Sequence, residues 1–167
     1  MKNIFLSLIL LSLTTSCSEK SLKSEREKTI DDTNEIIMSF FNAQLSGDIE
    51  TMMTLVSSDF TYTLNGQLDI SKTYDWDEYI EFQGYFSTLL KGEVGGEFLE
   101  IIPGEKSAII FLNGKMEGVG GAYNNEYALK YVINEERKVS EIKEYLSDLL
   151  LAQKLYGQDL CGEKMNQ

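Results

Sequence analysis

The segment NEYALKYVINEERKVSEIKEYLSD, Asn125 to Asp148, decides how this chain folds. On either side of the Asn-Glu-Glu at 134–136 apolar and polar residues alternate, and a period of two marks half-buried strands. The segment therefore predicts a hairpin. Tyr127, Leu129, Tyr131 and Ile133 share one face of its first strand, and Ile142, Glu144 and Leu146 take the matching face of the second. The opposite face carries Ala128, Lys130, Val132, Lys143 and Tyr145. Upstream, EFLEIIP (97–103) and SAIIFLNGKMEGV (107–119) read as two more strands bounded by Pro-Gly and Gly-Gly turns. Earlier still, DFTYTLNG (59–66) sets Phe60, Tyr62 and Leu64 against Thr61 and Thr63 before an Asn-Gly turn.

The rest of the first half has the period of a helix. Ile30, Ile36, Ile37, Phe40, Phe41 and Leu45 recur at spacings of three and four, ending at Gly47. Asp48 suits the N-cap of a shorter helix with Ile49, Met52, Met53, Leu55 and Val56. In DWDEYIEFQGYFSTLL (75–90) the stripe Tyr79, Phe82, Phe86, Leu89 predicts a third helix starting at Asp75 or Asp77, and LLLAQKLY (149–156) adds a short last one. Three helices ahead of a run of strands imply an α+β domain, with the helices packed on one side of a curved antiparallel sheet.

A chain of 167 residues with 43% hydrophobic content suits a single domain with a substantial core. Its 27 acidic and 15 basic residues give a formal charge of −12, which opposes binding to a phosphate backbone, so nucleic acid is not an expected partner. No metal or cofactor is expected either: the chain has no His, and the acidic stretches DWDE and NEER lack the Gly-centred spacing of a calcium loop.

Residues 1–17, MKNIFLSLILLSLTTSC, join Lys2 to an apolar run from Ile4 to Leu13 and then small residues before Cys17. The run is shorter than a permanent membrane span and reads as a signal peptide. Its end resembles the lipobox of bacterial lipoproteins, in which the Cys is lipid-modified and becomes the mature N-terminus. Ser16 and Thr15 fit that pattern, while Thr14 stands where an aliphatic residue is usual. The other reading is an ordinary secretory signal with an incidental Cys17. Both export the protein, either held by lipid on the periplasmic side of a bacterial membrane or released. Residues 18–29 are polar, mixed in charge and without an apolar face, as expected of a tether. The folded domain is expected over 30–148, followed by a C-terminal helix and tail over 149–167. Cys161 is then expected to be free or buried.

The order of these elements, together with FFNAQLSGD (40–48), LVSSDFTY (55–62), EYALKYVI (126–133) and KVSEIKEYLSD (138–148), resembles the nuclear transport factor 2-like superfamily, and within it the ketosteroid isomerase and SnoaL-like polyketide cyclase branch. The resemblance runs from Ile30 to Asp148. It implies a cone in which a strongly bent sheet wraps around helices and leaves an apolar cavity at its open end. Members include enzymes, small-molecule binders and protein-binding modules, so fold does not decide function. The three places that carry the isomerase chemistry fall here on Phe40, Leu64 and Leu129, none of which can handle a proton. The His of a scytalone-type dehydratase is absent. The Arg that orients the carboxylates of a limonene-type epoxide hydrolase has no counterpart, since Arg26 lies in the tether and Arg137 in a predicted turn.

What remains is an expected ligand pocket of Phe40, Tyr62, Leu64, Tyr79, Phe82, Phe86, Phe111, Tyr127, Leu129, Tyr131, Ile142 and Leu146, with one carboxylate, Glu144, sharing the inward face. Two readings of Glu144 stand. Desolvation among Tyr and aliphatic side chains would raise its pKa toward values useful for acid or base work, or it lies wet at the rim. A small apolar ligand or a protein partner is therefore expected, with proton-transfer catalysis through Glu144 as the alternative. The outer sheet face is the place for a homodimer contact.

Overall fold

In a computed structural model, which describes residues 4–159 with side chains from residue 22 onward, one Gly and one Asp turn the chain between its first two helices. Helix α1 (Ile4–Ser46) ends at Gly47, whose φ of 68° is the left-handed conformation that Gly adopts without penalty. The Asp48 amide donates to the Ala43 carbonyl at 2.9 Å, and the Asp48 carboxylate accepts from the Thr51 amide at 3.0 Å and the Thr51 hydroxyl at 2.7 Å. One short link thus closes α1 and caps α2 (Ile49–Leu55). The segment 18–29, read from the sequence as a tether, is helical as part of α1, and its Arg26 donates to Glu105 at 2.6 Å. The side chain of Cys17 and all of Cys161 lie outside the described residues.

The strands follow: β1 (Val56–Leu64), β2 (Thr73–Tyr74), then after α3 (Trp76–Leu89) β3 (Gly95–Pro103), β4 (Ser107–Gly118), β5 (Gly121–Tyr123), β6 (Glu126–Ile133) and β7 (Val139–Tyr145). Helix α3 starts at Asp75 because Asp75 and Glu78 cap each other's backbone amides, at 2.9 and 3.2 Å. In the sheet the order is β2-β1-β7-β6-β4-β3, with β5 paired to β4. In one respect this corrects the sequence reading. The sheet is mixed, because β1 runs parallel to β7 while the other neighbours are antiparallel. A parallel contact needs a long crossover, here everything between Leu64 and Val139, and local alternation carries no trace of it. Register shifts between Val56 and Thr61, between Phe98 and Glu100, and between Val132 and Ile133 are the kind of irregularity that bends a sheet.

Between the concave face and helices α1 and α3 the narrow end is filled with rings. Phe60 lies 5.5 Å from both Trp76 and Tyr79, Phe40 lies 6.2 Å from Tyr131, and Tyr62 lies 4.8 Å from Tyr79. Each tilted or edge contact adds about 0.5–1.5 kcal/mol to the area it buries. The chain closes with α4 (Asp148–Leu150), which continues as a π-helical turn over Leu151–Leu155. Leu151 and Leu155 are buried, and the amides of Val119 and Gly120 donate to the carbonyls of Leu155 and Lys154 at 3.0 and 2.9 Å. That contact is backbone against backbone. A Cβ on Gly118 would strike the Lys154 carbonyl and the Leu155 Cα, so only Gly fits there.

Candidate functional site

The concave face is not filled along its whole length. Beyond the ring cluster a cavity of about 370 Å³ opens, enclosed by α1 and α3, the inward residues of β1, β4, β6 and β7, the start of β3 and Leu151 of the last turn. Its size lies near the lower end of the roughly 300–1,000 Å³ typical of small-molecule sites. Leu64, Phe82, Phe86, Leu112, Leu129 and Leu146 are among the residues of its apolar wall.

Strand β7 lies between β1 and β6, and on it Glu144 is paired with Leu64 on one side and Leu129 on the other. The carboxylate therefore rises from the middle of the concave face, between the two leucines that occupy places of isomerase chemistry in the resemblance drawn above. One step deeper, Ile142 is flanked by Tyr62 and Tyr131 in the same way. From that deeper rung the Tyr62 hydroxyl reaches up and donates to Glu144 Oε2 at 2.8 Å. Tyr131 turns toward the helices and donates to Gln44 Oε1 at 2.8 Å.

Burial pushes the Glu144 carboxyl up to about 7 from an ordinary 4.5, and the hydrogen bond from Tyr62 works in the opposite direction. The residue retains some accessible surface because it opens on the cavity. The titratable groups around it are phenols. Burial, reinforced by the Glu144 charge, holds Tyr62, Tyr79, Tyr127 and Tyr131 above the usual phenol range, and it lifts Tyr123 to about 12. These hydroxyls stay protonated near neutral pH. Among the described residues that line the cavity, Glu144 is the one whose pKa is lifted to the neutral range. Glu97, also a lining residue, is exposed at the mouth 4.0 Å from Lys115.

Of the residues expected at the site, Tyr62, Leu64, Phe82, Phe86, Tyr127, Leu129, Glu144 and Leu146 line the cavity together. Phe40, Tyr79, Tyr131 and Ile142 do not. They face inward but sit in the packed core below it, and the buried Tyr79 hydroxyl has no hydrogen-bond partner. Phe111 is a correction of another kind. It is paired with Ala128 on the outer face of the sheet, and its neighbours Ile110 and Leu112 point in. The sequence reading missed Phe41, Gln44, Leu45, Gln83, Leu112, Gly114, Met116, Leu151 and the stretch Val94–Phe98. Gln44 follows Phe40 and Phe41 by one helical turn, which is the signal that could have found it. Asp148 lies outside the cavity and accepts from the Gln67 amide at 2.6 Å, tying the β1–β2 loop to α4.

Solved structures resemble this arrangement over most of their length. An NTF2-like protein from Burkholderia xenovorans LB400 matches at a TM-score of 0.61 and 16% identity, covering 75% of this chain and 96% of that one. Bal32a, from a soil-derived mobile gene cassette, matches at 0.65 and 16%, over 75% and 96%. A protein of unknown function with a cystatin-like fold from Xanthomonas campestris matches at 0.61 and 18%, over 70% and 91%. The fold is NTF2-like. No family model matches the sequence, and no curated protein matches it. At these identities the likeness fixes the NTF2-like fold alone.

Proposed function

We propose that this chain is an exported, lipid-anchored NTF2-like domain that binds a small apolar molecule in the cavity above its ring-packed core. The observation that carries the reading is a half-open, mainly apolar hollow of about 370 Å³ above the ring-packed core. Export rests on the apolar run Ile4–Leu13 followed by Cys17. The test is titration with the neutral dye N-phenyl-1-naphthylamine. The reading expects saturable binding of one dye per chain, lost in Leu129→Trp, which fills the hollow, while the variant still unfolds cooperatively. Dye that fails to bind, or binds Leu129→Trp equally well, removes it.

A second reading is favoured by one observation, the Tyr62–Glu144 hydrogen bond at 2.8 Å with the carboxyl lifted to about 7. A base poised near neutral pH can take a proton from a carbon next to a carbonyl, and the Tyr62 hydrogen, on leaving Glu144 as that carboxylate is protonated, can turn to the developing oxyanion. On this reading, turnover of carbonyl substrates falls at least about a hundredfold in Glu144→Gln. Undiminished turnover eliminates Glu144 as the base. The outer sheet face, with Phe111, Ala128 and Tyr145 around the Lys130–Glu141–Lys143 ion pairs, is the proposed dimer contact. Sedimentation that gives only monomer at high concentration rejects it.

A further inference from the structure

The cavity's charge is as informative as its size. Among its lining residues there is no Lys and no Arg, while Glu144 stands deep inside and Glu97 at the mouth. The nearest basic side chains along the same strands, Lys143 on β7 and Lys130 on β6, belong to the other face and are engaged by Glu141 at 3.4 and 3.6 Å. Glu144 makes no ion pair among the described residues. Its Oε2 accepts from Tyr62, and Oε1 has no hydrogen-bond partner among them.

We infer that the ligand is an amphiphilic amine, whose ammonium group pairs with Glu144 and whose apolar body packs among Tyr62, Phe82, Phe86 and Tyr127. This rests on the reading of the cavity as a small-molecule site and adds the chemistry of its occupant. A carboxylate in a mainly apolar hollow is costly to ionise until it is paired, and among the described residues no partner cation reaches it. An ammonium supplies one, together with donors for the unused lone pairs of Oε1. Aromatic rings line the same hollow, and the face of such a ring favours a cation over a neutral or anionic head group. A net charge of −12 also favours the approach of cations to the protein as a whole. A neutral alcohol could donate to Oε1 but would leave the charge in place, and a carboxylate ligand would add a second one.

Glu97 and Lys115 lie 4.0 Å apart at the mouth, and the titratable groups that interact with Glu144 from the packed elements are phenols. Tyr62 comes from β1, Tyr79 from α3, Tyr123 from β5, and Tyr127 and Tyr131 from β6. None of them titrates near neutrality, so the pH dependence of amine binding reports Glu144 itself. With the carboxyl lifted to about 7, the carboxylate that pairs with the amine is present above neutrality and disappears as the pH falls.

Displacement of bound N-phenyl-1-naphthylamine by 4-phenylbutylamine, 4-phenylbutanol and 4-phenylbutyrate tests the assignment with one body and three head groups. At about pH 8 the amine should displace the dye at about tenfold lower concentration than the alcohol, with the acid weakest. The preference should shrink toward about pH 6, and it should vanish in Glu144→Gln. Dye that binds while amine and alcohol compete equally in the wild type overturns the amine and leaves the cavity reading intact. An amine preference that survives Glu144→Gln overturns it as well. A dye that does not bind the wild type overturns both.

Discussion

Removing the Glu144 charge should stabilise the folded protein, and the size of the effect should depend on pH. In the folded chain the carboxyl is lifted from 4.5 to about 7, so the folded state holds its proton more tightly than the unfolded state does. Below about pH 4.5 both states are protonated and Glu144 costs nothing. As the pH rises through the window from about 4.5 to about 7 the unfolded chain ionises first, and stability falls. Above about pH 7 both are ionised and the loss levels off. At about 1.36 kcal/mol per pH unit, the full displacement costs the folded state about 3 kcal/mol. Glu144→Gln retains an acceptor for the Tyr62 hydroxyl but has no charge to desolvate. Its unfolding free energy should exceed that of the wild type by about 1 kcal/mol at about pH 5 and about 3 kcal/mol at about pH 8. Asp48, Glu78 and Glu135 are held below their ordinary values by hydrogen bonds and give stability the opposite slope, but they are common to both proteins and cancel in the difference. Urea unfolding of the pair at both pH values is the assay. A difference that is independent of pH, or a variant less stable than the wild type at about pH 8, would refute the claim that Glu144 is desolvated.

Two further predictions concern the scaffold. Gly118→Ala should destabilise the protein by about 2–4 kcal/mol in urea, because its Cβ meets the backbone of Lys154 and Leu155 and must push the last turn off β4. A loss below about 0.5 kcal/mol would mean that this turn is not packed where it is described. Asp75→Ala removes one half of the capping box of α3 and should cost about 1 kcal/mol, with faster amide exchange at Glu78 as the local signature.

The sequence revealed elements more readily than depth. The faces of β6 and β7 were legible because polar residues alternate there with apolar ones, and the buried set Tyr127, Leu129, Tyr131, Ile133 follows that alternation. In β4 the run Ala108 to Leu112 is apolar on both faces, so parity could not say that Phe111 faces out. Parity is also blind to position along the strand. Leu129 and Tyr131 share a face, yet one lines the hollow and the other is packed beneath it, a difference set by where α1 and α3 cross the sheet. The two shortest strands, Thr73–Tyr74 and Gly121–Tyr123, are too brief to show a period, and the parallel β1–β7 contact joins segments far apart in the chain. Glu144 was visible as an acid at an inward position. Its bond to Tyr62 requires neighbouring rungs of two strands and was not.

The most direct test of the account is a crystal structure of the full chain grown with N-phenyl-1-naphthylamine. The account predicts one dye with its rings between Leu64, Leu129 and Phe82, against the Tyr62–Glu144 pair. A hollow closed by its own side chains, with the dye elsewhere or nowhere, would contradict it.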